Sequence, residues 1–329
     1  MDTSHRACVP DLNSFEEIAK MPIIEPECPL RPVRPVKFLR KMRGGAQSSL
    51  LQVEDGNYYI VKLPGNPQGL EVLFNEAFGA VIMRFLGLPV PDWGVIALAD
   101  EFIDQNPEMW IETTTSGRKR PEAGLCFGSR LVLTSRDETL YELLPRQWFE
   151  LISNRDDFIG MLLFDMWSRQ SDNRQAVFRQ DAQTRSIRAT FIDQGDLFGR
   201  RRLPQRNSAR GPSYLDSNIY RNIDIVNIIP KWEARIRSIT PSALDDFGYT
   251  SGIPSEWYTP SKVECCRAEL IERQRSLGLY IREIERFLED VNNARDRFDK
   301  PRIQDIQIRA IAPRHAGCCL PRTNDEVLP

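Results

Sequence analysis

Ser171-Asp172-Asn173-Arg174-Gln175-Ala176-Val177-Phe178 is followed, after a hairpin-sized gap, by Phe191-Ile192-Asp193-Gln194-Gly195-Asp196, and the fold turns on these two segments. Each sets an aspartate beside a short apolar run, and the two aspartates lie 21 positions apart (193 − 172). Short apolar runs bounded by polar turn residues read as strands, so the pair predicts a hairpin around Arg179–Arg188. That layout holds one carboxylate for a nucleophile and another for a metal. Upstream, Lys62 ends an apolar strand and Glu76 lies inside a predicted helix. The order lysine, glutamate, aspartate, aspartate makes phosphoryl transfer the chemistry to test.

Each member admits a plainer reading. Gly44-Gly45-Ala46-Gln47-Ser48-Ser49 stands between two predicted strands. Glycines let a backbone approach a phosphate closely, and turn amides with hydroxyls can donate to its oxygens; the same residues also suit an ordinary hairpin turn. Gly44, Gly45, Gln47 and Ser48 are the candidates there. A helical Glu76 can pair with Lys62 and aim it at phosphates, or the two can be unrelated surface residues. Asp172, on a loop between an apolar helix and a strand, is placed to orient a substrate hydroxyl and accept its proton. Arg174 can stabilise that loop or contact phosphate, and Gln175 can offer an amide oxygen to a metal. Asp193 fits a ligand of Mg²⁺, a hard cation that takes carboxylate and phosphate oxygens.

Composition narrows the chemistry. The 329 residues suffice for a large core and two lobes, with 41% hydrophobic and 27% charged residues, ordinary for a globular protein. A net charge of −2 argues against general nucleic-acid binding, although the basic run Arg31–Arg43 could hold an anionic polymer or serve as a solvated arm. Seven cysteines without a Cys-x-x-Cys spacing point away from zinc ribbons and a disulfide framework. The two histidines, His5 and His315, stand near the ends, which disfavours Ser-His-Asp and histidine-metal schemes. No apolar run is long enough for a membrane helix, and the start lacks a secretory pattern, so a cytoplasmic protein is expected.

Along the chain, residues 1–30 read as an arm. Strands are expected at Val36–Met42, Leu50–Val53, Tyr58–Leu63 and Trp93–Leu98, with Asp55-Gly56 as a hairpin turn. A helix is expected over Leu70–Leu86, stopped by Gly87. Residues 100–124 show little pattern and read as a variable loop or lobe junction. An apolar helix should end just before Asp172, a Pro/Gly/Arg-rich loop should span 199–214, and one long amphipathic helix should run Lys262–Arg297. The resulting architecture is α+β: a small antiparallel β-sheet lobe with one helix over 31–120, a larger and mainly helical lobe over 121–297, and a tail over 298–329.

Arg43-Gly44-Gly45-Ala46-Gln47-Ser48, Tyr59-Ile60-Val61-Lys62-Leu63, Asn75-Glu76, Leu86-Gly87-Leu88-Pro89-Val90-Pro91, Ser171–Phe178 and Ile192-Asp193-Gln194-Gly195 together resemble the bacterial HipA-like kinase family, within the wider protein-kinase and phosphoinositide-kinase-like fold. The resemblance covers about residues 36–200. It implies a two-lobed protein-kinase-like fold, ATP phosphates under residues 44–49, Lys62 on the phosphates with Glu76 as its partner, Asp172 as the catalytic aspartate and Asp193 on Mg²⁺. It also implies an acceptor that can be a protein hydroxyl, and a regulatory or antitoxin partner. Two positions depart from the pattern: Val177 stands where a kinase catalytic loop has Asn, with Gln175 nearest in role, and Gln194 follows Asp193 in place of Phe or His. The rival readings are a non-catalytic nucleotide-binding module and a relative that transfers the nucleotidyl group. The lobes are expected to join near Phe127-Gly128-Ser129-Arg130.

Overall fold

The fold is that of a computed structural model, described over residues 31–42, 45–113, 117–131, 138–198 and 214–293. Gly44, the arm 1–30, the tail 298–329, both histidines and most of the 199–214 loop lie outside the described residues.

Alternating apolar residues build the first sheet. Strands β1 (Pro35–Lys41), β2 (Ser49–Val53), β3 (Tyr58–Lys62) and β4 (Trp93–Leu98) are joined by a later strand, Gly124–Arg130, which inserts between β3 and β4. All neighbouring pairs run antiparallel. The sheet therefore takes in residues beyond 120, where the first lobe was expected to end. Val33 bonds both Val95 and Ala97, so the chain entering β1 also touches the opposite edge and the sheet curls on itself.

Helix α1 (Glu71–Phe85) crosses one face of this sheet and is buried on nearly every side, from Val72 through Ala80, then Ile82 and Met83. Gly87, at φ +75°, ends it, with the Leu88 amide returning to the Met83 carbonyl, the left-handed cap that glycine adopts at least cost. The opposite face packs on a region expected to be patternless. It holds a second helix, α2 (Asp100–Gln105), and a small hairpin of β5 (Ile111–Thr113) and β6 (Gly117–Lys119). These elements are too short to show a period; Ile103, Met109 and Ile111 bury against Leu51, Val61 and Ile96. The first lobe thus carries two helices, not one. The inserted strand Gly124–Arg130 is β7.

The second lobe combines a three-stranded sheet of β8 (Glu138–Tyr141), β9 (Gln175–Asp181) and β10 (Ile187–Ile192) with helices α3 (Asp157–Trp167), α4 (Ile225–Arg237), α5 (Pro241–Tyr249), α6 (Pro260–Arg275) and α7 (Leu277–Asn293). The long helix expected over Lys262–Arg297 is two helices. Ser276 and Gly278, poor helix formers, break it where the Arg273 guanidinium is pulled onto the carbonyls of Met166 and Trp167. Helix α1 shares its core with this lobe, since Leu73, Phe74 and Phe78 cluster with Phe164, Leu197 and Phe198. The element that carries Glu76 is therefore anchored to the helical side. Among the described residues no helix is long and apolar enough to cross a membrane.

Candidate functional site

Strand β3 ends on Lys62, which pairs in register with Phe127 of β7 and points its side chain between the sheet and α1. The side chain is 10% exposed. Its ammonium forms an ion pair with Glu76 and reaches Asp193 Oδ1 at 2.8 Å. Glu76 is buried on the sheet-facing side of α1, and its second oxygen accepts the Gln194 amide at 3.0 Å. One carboxylate thus binds both the lysine and the loop that follows β10. Burial alone would lower the Lys62 pKa, but Glu76 and Asp193 together raise it above the usual lysine range. The ammonium is fixed as a cation.

Asp193 immediately follows β10 and adopts a left-handed backbone, φ +66°, a conformation more accessible to Asp than to most side chains. Its side chain remains 37% exposed, so this is the open member of the trio. Burial works against its ionisation, yet Lys62, with smaller contributions that include Arg174, holds the carboxyl below its ordinary range. The Gln175 side-chain amide, at the start of β9, donates to the other carboxylate oxygen at 2.9 Å. One lysine against two carboxylates leaves a formal charge of −1 facing the opening.

The donor set suits a hard cation. Asp193 and the amide oxygen of Gln175, after rotation of that amide, would supply two oxygen ligands side by side. Among the described residues no cluster of three His, Cys, Asp or Glu could form a protein-only cage. Mg²⁺ commonly uses one or two carboxylates and completes its shell with phosphate oxygens and water, so the set fits a metal that arrives with a phosphate ligand.

The other expected residues fall differently. Asp172 is exposed and accepts the Asn173 amide at 2.8 Å; its loop is tied down through Ser171, whose amide and hydroxyl both donate to the Asp196 carbonyl. Arg174 does not face the opening. It is 2% exposed, forms a two-pronged ion pair with Asp165, and donates to the Ile192 and Asp193 carbonyls at 3.0 and 3.1 Å. Its guanidinium is spent on holding the loop after β10, so of the two roles expected for Arg174 the structure shows loop support in place of a phosphate contact. Gln47 is also turned inward: its amide accepts from Lys41 Nζ and the Glu112 amide and donates to the Glu112 carbonyl. That side chain ties the β1–β2 turn to the β5–β6 hairpin and is not left over for a phosphate. Ser48 is buried and accepts the Met42 amide through its carbonyl, while Gly45 has open space around it apart from the Gln68 amide.

Sequence reasoning missed Asp165 and the job of Asn75. Asn75, fully buried, donates to the Gly195 and Leu197 carbonyls. Both residues carried a signal, because each interrupts an otherwise apolar helix, and polar groups buried at such positions require partners. Gly195 lets α1 approach closely: a Cβ there would stand 3.1 Å from a Val72 methyl and 3.2 Å from a Glu76 oxygen.

No protein-family model matches the chain, and no curated protein matches it. Among solved structures it is similar to the Golgi casein kinase with Mn/ADP bound, at 12% identity over 80% of this chain and 75% of that one, with a TM-score of 0.44. The Helicobacter pylori proinflammatory kinase CtkA is 13% identical over 77% of this chain and 95% of that one, also with a TM-score of 0.44. A further structure of the Golgi casein kinase gives 12% identity, 79% and 74% coverage, and a TM-score of 0.41.

Proposed function

We propose that the chain is an ATP- and Mg²⁺-dependent phosphotransferase of HipA-like type that transfers the γ-phosphoryl group to a hydroxyl, with a protein as acceptor. The observation that carries this reading is the buried Lys62 ammonium held between Glu76 and the half-exposed Asp193. A lysine at a strand end is oriented only by something anionic; here the orientation is set in advance by Glu76, and the ammonium lies beside Asp193, the more exposed of its two carboxylate partners. Such preorganised charge is the main contribution a protein makes to phosphoryl transfer.

In this reading Lys62 meets the phosphate oxygens of ATP, and Asp193 with Gln175 holds Mg²⁺, which supplies charge neutralisation on the phosphates. Asp172 orients the acceptor hydroxyl and takes its proton as the new O–P bond forms and the bond to the departing ADP oxygen breaks. Neither Gln47 nor Arg174 contacts the phosphates directly. One observation favours the rival reading, a nucleotide-binding module without turnover. Val177, five residues past Asp172, is locked in β9 opposite Thr190, so the amide of a kinase catalytic loop is missing there and Gln175 alone stands in.

Incubation with γ-labelled and α-labelled ATP separates these readings. Transfer of γ-label alone, lost in Lys62→Met, is the expected result. Transfer of α-label means nucleotidyl transfer, and ATP binding without either label means a non-catalytic module; both outcomes contradict the proposal.

A further inference from the structure

We infer that Arg174, through its pairing with Asp165, is a positioning residue that sets the backbone of Asp193 and thereby the direction of its outward carboxylate. The inference rests on the reading of Asp193 as a metal ligand.

The geometry is specific. Arg174 and Asp165 are each 1% exposed at the side chain, so the guanidinium has no water to donate to. Two of its nitrogens go to Asp165, from within the apolar helix α3. Its remaining reach goes to two successive carbonyls, Ile192 and Asp193. Gln170 adds a third donor, its amide nitrogen lying 3.3 Å from the Asp193 carbonyl. These carbonyls lie on either side of the Asp193 Cα, where the chain leaves β10 and turns left-handed. A left-handed non-glycine residue persists only where its surroundings over-determine it, and the converging donors do so here.

The next residue completes the grip. Arg174 holds the Asp193 main chain while its neighbour Gln175 holds the Asp193 side chain. The far side of the loop is gripped independently from α1, by Glu76 on the Gln194 amide and Asn75 on the Gly195 and Leu197 carbonyls. Without Arg174 the downstream grip would survive and Lys62 would still draw on Asp193 Oδ1. The Asp193 carbonyl would then keep Gln170 alone and Ile192 only its pairing with Gln175, so the left-handed turn would loosen and the outer carboxylate oxygen would shift from Gln175. Lysine cannot replace the fork, because a single ammonium cannot span a carboxylate and two carbonyls in one plane.

Loss of a residue that orients a metal ligand from behind typically weakens metal affinity by about 10–100-fold. The test is binding of a fluorescent ATP analogue to the full-length chain, measured with Mn²⁺ and again with EDTA. Two variants are used: Arg174→Lys, and the apolar pair Arg174→Met with Asp165→Leu, which leaves no buried charge unpaired. The expected result is near-wild-type binding in EDTA for both, with the gain in affinity on adding Mn²⁺ reduced by about 10–100-fold. A folded double variant, or a folded Arg174→Lys, that keeps the full Mn²⁺ gain overturns the inference and leaves the proposed function standing. A wild-type chain that shows no Mn²⁺ gain at all overturns both.

Discussion

Asp172 and Asp193 look alike in the sequence, each an aspartate in a turn beside an apolar run, and the structure treats them in opposite ways. Asp193 is held through its side chain by Lys62 and Gln175 and through its main chain by Arg174 and Gln170. Asp172 lies exposed on a loop that is anchored next to it, at Ser171, and its carboxylate accepts the amide of the following residue. The first carboxylate is built into the protein; the second is presented by it. A group meant to bind a metal in one geometry benefits from rigid support, whereas one that must meet a variable hydroxyl needs access. The difference is also one of energy. Perturbing the surroundings of Asp193 should cost stability, and altering Asp172 should cost function alone.

The largest effect is expected where the support of Asp193 is deepest. Arg174→Met leaves Asp165 buried and unpaired, and a broken buried pair of this kind costs about 3–5 kcal/mol, measurable as a lower urea midpoint. Next comes Gly195→Ala, whose new methyl would press on Val72 and Glu76; overpacking of this kind costs about 1–3 kcal/mol. If Gly195→Ala proved neutral in the same assay, the close packing of α1 against the loop would not be a constraint.

The acid limb of stability gives a third handle. Burial disfavours the ionised form of Asp193, but Lys62 and its neighbours, Arg174 among them, together hold its folded pKa below the ordinary carboxylate value. A group depressed in this way contributes stability that is full above its unfolded pKa, about 3.9, and is lost as pH falls through the lower folded value. Asp193→Asn should therefore flatten the decline in urea midpoint below about pH 4. An unchanged acid limb would mean that the Lys62 contact contributes no net stability. The smallest effect is expected at Asp172→Asn, within about 0.5 kcal/mol of wild type as for most exposed substitutions, with loss of phosphoryl transfer.

The same contrast marks what the sequence could disclose. Lys62, Glu76 and Asp193 were legible because each sits at the end of, or inside, an element with a strong pattern. β3 is an unbroken β-rich run, α1 has an apolar period closed by Gly87, and β10 is an apolar run ending in a turn. Strand β4 was likewise readable to its bounds. The supports were legible only in part: a loop-stabilising role was open to Arg174, but its partner was not visible. Asp165 and Arg174 meet only because α3 and β9 pack together, and no local rule pairs an aspartate with an arginine nine positions on. A turn amide such as Gln47 looks the same whether it faces a ligand or a neighbouring hairpin. The break at Ser276 was hidden because Val263, Cys266 and Leu270 before it and Leu277, Ile284 and Leu288 after it keep one continuous apolar spacing.

The division of labour between the two aspartates can be measured in one experiment, the affinity of Asp172→Asn and Asp193→Asn for ATP with saturating Mg²⁺, each against wild type. Asp172→Asn is expected to bind Mg²⁺-ATP as tightly as wild type. Asp193→Asn, deprived of the carboxylate proposed to hold the metal, is expected to bind at least about tenfold more weakly. Equal affinities for the two variants, or a larger loss at Asp172 than at Asp193, would contradict the assignment.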